Sequence, residues 1–486
     1  MNAPLSTLED PVPAPVTPDF EESLLKPSDL ADPRLFSLIM RLALPSVCGL
    51  SIHALHHVVN AAFIGNVGPE AVAAVSVVFP IFLFISAIGH GLGVGCAASI
   101  GRHLGAGNTD EANSTATIGL GLAGLVGVAC TVGLLIWLTP LLRLFGATPA
   151  ILPPAQDYVG VLAFGCAFTL LQILCDFIVI SEGNTRFSMW TLIGGFTLNI
   201  ILDPIFIFGC NLGVSGAALA TMTSQLAALA AFALYFKKSA GNLRVHWRLF
   251  RPTVAILRPI FSVGLPATLT TALSAITFTL IYRTAGAYGG EAAIAAIGIA
   301  LRVFTLGELP LVGFCIGAQA VLSYAWGAKA PLRVLSATRF MLLVTTAFAV
   351  AHSVVILTFS HAIVGLFTKD PSVLALGTQA VIAFHLFFGL TGLQLVVLVL
   401  LQSLDKGRSA AIVSLAPQGY LLIPPLLILP RLWGLDGVIM APAVAIALTV
   451  VIAGLFLWRE TEALKRFALR GALSSDTPAR SCSGPL

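Results

Sequence analysis

Two short stretches, "GPEAVAAV" at 68–75 and "GGEAAIAAI" at 289–297, share a pattern of glycine, glutamate and small apolar residues. They lie 221 residues apart, and nearly the same offset aligns "LALP" at 42–45 with "VGLP" at 263–266. An offset that barely drifts along most of the chain indicates a tandem duplication rather than chance matches between glycines. The chain therefore contains two copies of one unit.

The composition places both copies in a membrane. Of 486 residues, 57% are hydrophobic and 10% are charged, and the mean hydropathy is +0.95, which excludes an ordinary soluble globular protein. Apolar runs of about 20 residues, long enough to cross a bilayer, recur twelve times between residues 35 and 458. These runs are continuous rather than alternating, so they are predicted to be helices and not the strands of a barrel.

Each copy contributes six predicted spans. Because six is even, both copies insert in the same direction, and a pseudo-twofold axis along the membrane normal relates them. The predicted fold is an all-α integral membrane protein with twelve transmembrane helices in two six-helix bundles. The predicted segments are a disordered cytoplasmic tail (1–33), an N-terminal bundle (34–238), a cytoplasmic linker (239–256), a C-terminal bundle (257–460) and a second cytoplasmic tail (461–486).

The positive charges predict the orientation. An even number of spans puts both termini on one side, and most Lys and Arg residues in the loops fall on that side, including Lys237, Lys238, Arg244, Arg248 and Arg251. Positively charged loops stay in the cytoplasm, so both termini are predicted to be cytoplasmic. The net charge of +4 is therefore a signal of topology, and no nucleic-acid partner is expected.

Asp203 is the strongest candidate for a functional acid, because a carboxylate in the middle of a span is costly to bury. Asn199 lies four residues earlier and shares its helix face. Pro204 has no N–H and frees a backbone carbonyl on the same turn, so the group can bind water, a proton or a small cation. A hydrogen-bonded kink that only shapes a cavity is the alternative.

Pro45 and Pro266 are matched to each other by the repeat offset. Together with Pro204 they are predicted to act as hinges, or they are simply tolerated kinks.

The first predicted span carries His53, His56, His57 and Asn60 on one broad helix face. This face must look into protein or into a water-filled cavity. Imidazoles titrate near neutral pH and can relay protons to Asp203. The alternative is that they line the cavity as ordinary hydrogen-bonding groups.

Three other spans carry polar candidates for a substrate cleft. Asp176 shares a helix face with Gln172 and can bind a cation, although pairing with Arg186 is an equal alternative. In the second copy, Glu308 and His385 are the titratable groups predicted to face the cleft. The positions matched to Asp203 and Asp176 carry no acid in the second copy, so coupling is predicted to reside in the first.

The stretch "SEGNTRFSMWTLIGGFTLNIILDPIFIFGCNLGVSGAALATMTSQ" (181–225) resembles the fifth and sixth spans of the multidrug and toxic compound extrusion (MATE) family, and most of all its DinF-like bacterial branch. "AAFIGNVGPEAVAAVS" (61–76) and "SIGRHLGAGNTDEA" (99–112) resemble the family's first two spans. The resemblance implies an inner-membrane antiporter that expels hydrophobic, often cationic compounds in exchange for protons or sodium ions.

The resemblance also implies a coupling site in the first half. Asn199, Asp203 and Thr221 match members of that site, whereas Asn60 stands where the family usually has an Asp. Sodium prefers several oxygen ligands with anionic charge, so the loss of this acid favours protons over sodium. We therefore expect a proton-coupled efflux antiporter, with sodium coupling as the alternative.

Three other functions fit the sequence less well. A flippase for lipid-linked sugars shares the superfamily's plan but would need a basic cavity. A membrane metalloenzyme is disfavoured because the histidines form no HExxH motif, so no metal and no enzymatic activity are expected. A receptor is disfavoured because no soluble sensor domain is recognisable. We expect a monomer in the lipid bilayer that binds small organic cations and needs no cofactor other than the coupling ion.

Overall fold

The computed structural model describes residues 28–65, 67, 69–145, 148–149, 151–238 and 241–475, and the side chain of His57 is outside the described part. The N-terminal half comprises α1 (Leu35–Gly65), α2 (Pro69–Gly105), α3 (Thr109–Ile136), the short α4 (Leu138–Leu144), α5 (Leu152–Ser181), α6 (Thr185–Pro204) and α7 (Gly213–Lys237). The C-terminal half comprises α8 (Val254–Gly327), α9 (Pro331–Gly365), α10 (Pro371–His385), α11 (Thr391–Ser403), α12 (Gly407–Leu415), α13 (Ile423–Trp433) and α14 (Leu435–Ser475).

The described residues contain eleven helical stretches that are long and apolar enough to cross a membrane. One of them, α8, has 74 residues and is interrupted at Gly290, where φ is 65° and ψ is −157°. A residue with a side chain does not readily adopt this conformation, so glycine allows the chain to reverse there. Because α8 supplies two spans, the fold has twelve, and the predicted all-helical membrane architecture is confirmed.

Two spans of the C-terminal half are broken inside the membrane. The tenth span is divided into α10 and α11 by a 3-10 turn at Phe388–Leu390. The eleventh is divided into α12 and α13 by a π turn at Ala416–Tyr420, where Gly419 leaves the helical region. In the N-terminal half a π turn, Ile205–Gly209, directly follows Pro204. By contrast, α1 is not interrupted at Pro45, and α8 is not interrupted at Pro266. The helix therefore continues through both of these proposed hinges.

The two halves meet through glycines that the duplication has placed at equivalent positions. A Cβ on Gly95 of α2 would collide with the Ile260 carbonyl of α8, and a Cβ on Gly317 of α8 would lie 2.6 Å from the Leu42 carbonyl of α1. Gly95 and Gly317 are 222 residues apart, so one close approach repeats the other about the pseudo-twofold axis. Such small residues let helix backbones approach closely within a membrane.

These contacts lie towards the end of the bundle that carries both ends of the described chain. We call it the terminal face, and its loops are residues 106–108, 182–184, 328–330 and 404–406. Here an apolar core joins the halves, with Leu38 and Leu42 of α1 in the same buried cluster as Leu322 and Met341. Arg102 of α2 forms an ion pair with Asp405 of the other half at 3.4 Å. Direct packing therefore closes the terminal face.

A short segment before α1 also bridges the halves. We call residues 28–34 the N-terminal strap. The Ser28 N–H donates to the Gly183 carbonyl of the N-terminal half at 3.0 Å. Arg333 of the C-terminal half donates to the carbonyls of Leu30 at 2.7 Å and Asp32 at 2.9 Å, and the Leu30 side chain is buried in the shared core. These contacts order residues 28–33, which we had placed in the disordered tail.

The linker between the halves is anchored at the terminal face by Glu182. This fully buried carboxylate accepts hydrogen bonds from the Tyr235 hydroxyl at 2.6 Å and from the N–H groups of Asn242 and Leu243 at 2.8 and 3.2 Å. Gly241 is required beside it, because a Cβ there would collide with the carboxylate. Burial raises the pKa of Glu182 to about 7, although the three donors oppose that shift. At the other end of the chain, α14 continues to Ser475, so the predicted tail from residue 461 begins as helix.

Candidate substrate and coupling site

A cavity of about 220 Å³ lies inside the N-terminal half, between α1, α2, α5, α6 and α7. Of the residues proposed from sequence, the lining contains His53, His56, Gln172, Asp176, Asn199 and Thr221. Four separate helices supply these side chains, so the fold brings together residues that are up to 168 positions apart in the chain. Neither Lys nor Arg occurs among the described residues that line the cavity.

Asn199 connects three helices at one side of this cavity. Its amide group lies 2.6 Å from Nε2 of His56 on α1. The orientation that satisfies the neighbouring groups has Nδ2 donating to His56 Nε2 and to Asp203 Oδ2, the latter at 3.3 Å. The Asn199 Oδ1 then accepts from the Thr221 N–H on α7 at 3.0 Å. A change in the hydrogen bonding of Asp203 is therefore transmitted directly to α1 and α7.

Asp203 lies behind Asn199 and is fully buried. Its Oδ1 atom has no hydrogen-bond partner among the described residues, and no ion pair to it is found there. Asn60 is in a similar state, because its Oδ1 atom is also buried without a partner in the described structure. An ionised carboxylate without a compensating positive charge is very unfavourable in a dry environment, so binding of a proton or a cation would stabilise this site.

Asp176 is held in a different way. Its Oδ1 atom accepts a hydrogen bond from the Ser188 hydroxyl of α6 at 2.5 Å. Among the described ion pairs, none joins Asp176 to Arg186, which was the alternative considered from sequence. Asp176 instead lines the cavity together with Gln172. Its carboxyl group is therefore part of the cavity wall.

Aromatic and histidine side chains that the sequence interpretation missed complete the cavity. The Phe196 ring stacks on both His53 and His56, with ring centroids 5.1 and 4.7 Å apart. His90 of α2 meets the Phe177 ring edge-on at 5.0 Å. The signal for His90 was available, since an ionisable residue inside a span is a candidate by default. Phe196 gave no comparable signal among so many apolar residues.

The remaining candidates lie in the C-terminal half and do not reach this cavity. Glu308 lines a separate cavity of about 70 Å³ with Phe304, Gln394 and Gln418. His385 does not line either cavity and faces His352 instead. The structure thus separates Gln172 from Glu308 and His385, which had been grouped as one substrate cleft. Within the described ranges, no group of three or more His, Cys, Asp or Glu side chains could hold a metal ion.

The family model MatE matches residues 45–205 and again residues 266–426. The chain belongs to the MatE family. The two matches begin 221 residues apart, at the offset of the internal repeat. This is a family of membrane transporters and not of enzymes, and the chain is a multi-pass membrane protein.

Known MatE proteins resemble this chain over most of its length. It is 29% identical over 447 residues to the multidrug export protein MepA of Staphylococcus aureus strain N315, and the alignment covers 91% of this chain and 96% of MepA. It is 30% identical over 447 residues to MepA of strain NCTC 8325. A solved outward-facing structure of a multidrug resistance MATE family transporter of the MOP superfamily has a TM-score of 0.84 and 27% identity, covering 91% of this chain and 98% of that one. A MATE structure in the bent conformation has a TM-score of 0.85 and 28% identity, with 92% and 98% covered.

Proposed function

We propose that this MatE protein is a secondary active antiporter that exports hydrophobic organic cations in exchange for protons, with Asp203 as the coupling group. The observation that carries the proposal is the state of Asp203, a fully buried carboxyl whose Oδ1 atom has no partner in the described structure. The MepA proteins, which are named as multidrug exporters, align with nearly the whole chain and support drug-like substrates. Within the family, the DinF-like branch remains our assignment.

The cavity beside Asp203 suits an organic cation. Asp176 contributes a carboxylate, and Phe82, Phe177 and Phe196 contribute aromatic walls. Aromatic ring faces and a nearby acid attract a cation that is largely removed from water. A flippase for lipid-linked sugars would need basic groups for its pyrophosphate, and the described lining has neither Lys nor Arg.

Protons fit the coupling site better than sodium does. Sodium needs several oxygen ligands, preferably with more than one negative charge. Asp203 is the single acid in the network with Asn199 and His56, and Asn60 contributes only a neutral amide. A proton needs one titrating group, and a protonated Asp203 would also remove the cost of a buried unpaired charge.

The proposed cycle begins when Asp203 takes a proton from the outside. The protonated carboxyl becomes a donor, so the hydrogen bonds of Asn199 to α1 and α7 must rearrange. The first span then bends and narrows the cavity, which releases the substrate outwards. Asp203 finally loses its proton to the cytoplasm, and His53, His56 and His57 are candidates for relaying it. Asn60, Thr221 and Asp176 complete the proposed coupling set.

We further propose that the protein lies in the inner membrane as a monomer, with both termini and the terminal face in the cytoplasm. The basic residues Arg102, Arg186 and Lys237 lie at this face, as the positive-inside rule requires of a cytoplasmic surface. The terminal face is closed by the packing of α2 against α8.

The test uses purified protein in liposomes with ethidium as the fluorescent organic cation. A pH gradient imposed across the wild-type membrane should drive ethidium uphill, and Asp203→Asn should reduce this to the passive leak because its amide cannot titrate. Asp110→Asn, at an exposed acid on the terminal face, is the matched control and should transport at the wild-type rate. Full-rate uphill transport by D203N would exclude Asp203 as the coupling group.

A sodium gradient at equal pH separates the alternatives. If the sodium gradient drives uphill ethidium export and the pH gradient does not, sodium is the coupling ion and the proton proposal is wrong. If neither gradient moves ethidium while a lipid-linked sugar crosses the membrane, the flippase is the better assignment.

A further inference from the structure

The tenth span is broken at a buried histidine. Helix α10 ends at His385, and a 3-10 turn separates it from the start of α11 at Thr391. Broken helices in transporters often direct their free ends at ions or substrates. The C-terminal end of a helix carries partial negative charge and favours a nearby cation. His385, which is fully buried, therefore stands where the helix itself would stabilise a positive charge.

A second histidine faces His385 from α9. The rings of His352 and His385 have centroids 5.5 Å apart and planes inclined by 44°. Nδ1 of His385 lies 2.9 Å from the Val381 carbonyl, which can only accept, so Nδ1 carries a hydrogen and Nε2 has a free lone pair. Nε2 of His385 and Nε2 of His352 are both buried, and neither has a hydrogen-bond partner among the described residues.

Aromatic rings surround the two imidazoles. Phe388 lies 5.1 Å from His352 and 5.4 Å from His385, and Phe348 stacks on His352 at 6.2 Å. Phe304 closes the side of His385 at 6.1 Å. Ring faces at these distances attract a cation, so the walls favour one added positive charge more than an aliphatic pocket would.

The charged groups near this contact are few. Within about two turns of Gly307, helix α8 carries Arg302, which is exposed, and Glu308. Glu308 follows Gly307, whose backbone packs so closely on His352 that a Cβ there would collide with the imidazole. Helix α9 carries His361 about two and a half turns beyond His352, whereas α10, α11 and the 3-10 turn add no charged group besides His385. Glu308 is therefore a carboxylate that directly follows a residue packed against His352.

We propose that His352 and His385 form a second proton-binding site, in the C-terminal half, in which one of the two facing imidazoles takes up a proton at Nε2. The positive charge on that ring then opposes protonation of the other, and the aromatic walls and the end of α10 stabilise the charge. This inference rests on proton-coupled transport at Asp203 and adds to it. Each transport cycle then uses two protons, one in each half.

The experiment measures the initial rate of ethidium export from liposomes against the proton concentration on the supplying side, at fixed membrane potential. The wild type should show an apparent order in protons of about two, and loss of one site should reduce it to about one. His352→Gln keeps a polar group near Nε2, and His385→Asn keeps the donor to the Val381 carbonyl, so both variants should fold. His361→Gln, at an exposed histidine of the same helix, is the matched control and should keep the wild-type order.

Several results would overturn the inference. An order that stays at the wild-type value in both H352Q and H385N would exclude the pair, as would an order of one in the wild type. A transition metal bound in stoichiometric amount and lost in both variants would make the pair a metal site instead.

A second measurement decides the question even if ethidium is not transported. Nitrogen NMR of labelled histidine in nanodiscs should show His352 and His385 titrating together, with the response of each altered by substitution of the other. Independent titration would rule out a coupled pair that takes up a single proton. Failure of uphill ethidium export in the wild type, by contrast, would count against the proposed function.

Discussion

In the N-terminal half, a cavity of about 220 Å³ is lined by side chains from five helices, including Asp176 and Asn199. In the C-terminal half, the corresponding space has shrunk to about 70 Å³ around Glu308. The membrane helices around the first cavity are continuous where they line it, whereas two spans beside the second are broken inside the membrane. The two copies thus keep one fold but differ in polar chemistry and in backbone.

The two copies are alike at positions where the halves pack together and differ at positions that carry polar side chains. Gly95 and Gly317 remain equivalent because each allows the same close approach between the halves. Asp203 has no acidic counterpart, since the matching positions are Pro424 or Pro425. Packing positions constrain both copies in the same way, because the halves touch along their shared axis. The polar positions are not held to this shared contact, so the second copy was free to acquire prolines and broken helices there.

The largest expected effect concerns the close glycine contacts that both halves share. Gly95→Ala and Gly317→Ala should each destabilise the closed terminal face by about 1–3 kcal/mol, because a methyl group would be forced against a backbone carbonyl that cannot rotate away. The measurements are thermal unfolding in detergent and hydrogen exchange in residues 42–47 and 260–266, which should become less protected in both variants.

Gly124→Ala is the control for these substitutions, because a Cβ at Gly124 would meet nothing within 4 Å. It should be neutral or slightly stabilising, since alanine favours helix. A large effect from one glycine of the pair and none from the other would show that the interface is not symmetric.

A smaller effect concerns the two cavities, which differ between the halves. Asp176→Asn should weaken ethidium binding about tenfold, which corresponds to about 1.4 kcal/mol, because it removes the negative charge from the larger cavity. Glu308→Gln should change ethidium affinity much less, since its cavity is separate and smaller. Fluorescence titration of the purified variants with ethidium measures both. Equal losses would mean that the substrate reaches both cavities, as the sequence grouping had suggested.

The last expected effect is limited to part of the pH range and concerns Glu182, which anchors the linker that follows the first half. Its pKa is raised from 4.5 to about 7 in the folded protein, so its contribution to stability is fully present below pH 4.5. The contribution is lost as the pH rises through about 7, with a slope of up to about 1.4 kcal/mol per pH unit. Glu182→Gln should remove this slope in thermal unfolding between pH 5 and 8.

Asp110→Asn serves as the comparison for Glu182, because it removes an exposed acid from the same face and should leave the slope in place. An unchanged slope in E182Q would assign the pH dependence to another group.

Much of the fold could be predicted because it depends on the length and spacing of apolar runs. The repeat offset indicated the duplication, and the apolar runs predicted twelve spans. The broken tenth span was not predicted, since "FHLFFGLTG" (384–392) contains no proline and reads as a continuous apolar helix. The break depends on packing against neighbouring helices, and local sequence does not encode it.

The site was predictable in part for a similar reason. Asn199 and Asp203 lie one turn apart, so their proximity follows from helical geometry. The contact between His56 and Asn199 joins α1 to α6, and the hydrogen bond from Ser188 to Asp176 joins α6 to α5. Such contacts depend on how helices are rotated against each other, which a single sequence does not reveal.

The N-terminal strap has a consequence for the order in which the protein is made. Residues 28–34 are synthesised before α1, yet Arg333 and most of the core that buries Leu30 are synthesised about 300 residues later. The eight spans from α1 to α8 are therefore synthesised before the binding surface of the strap is complete. Docking of the strap is a late step of assembly, although the strap itself is translated early.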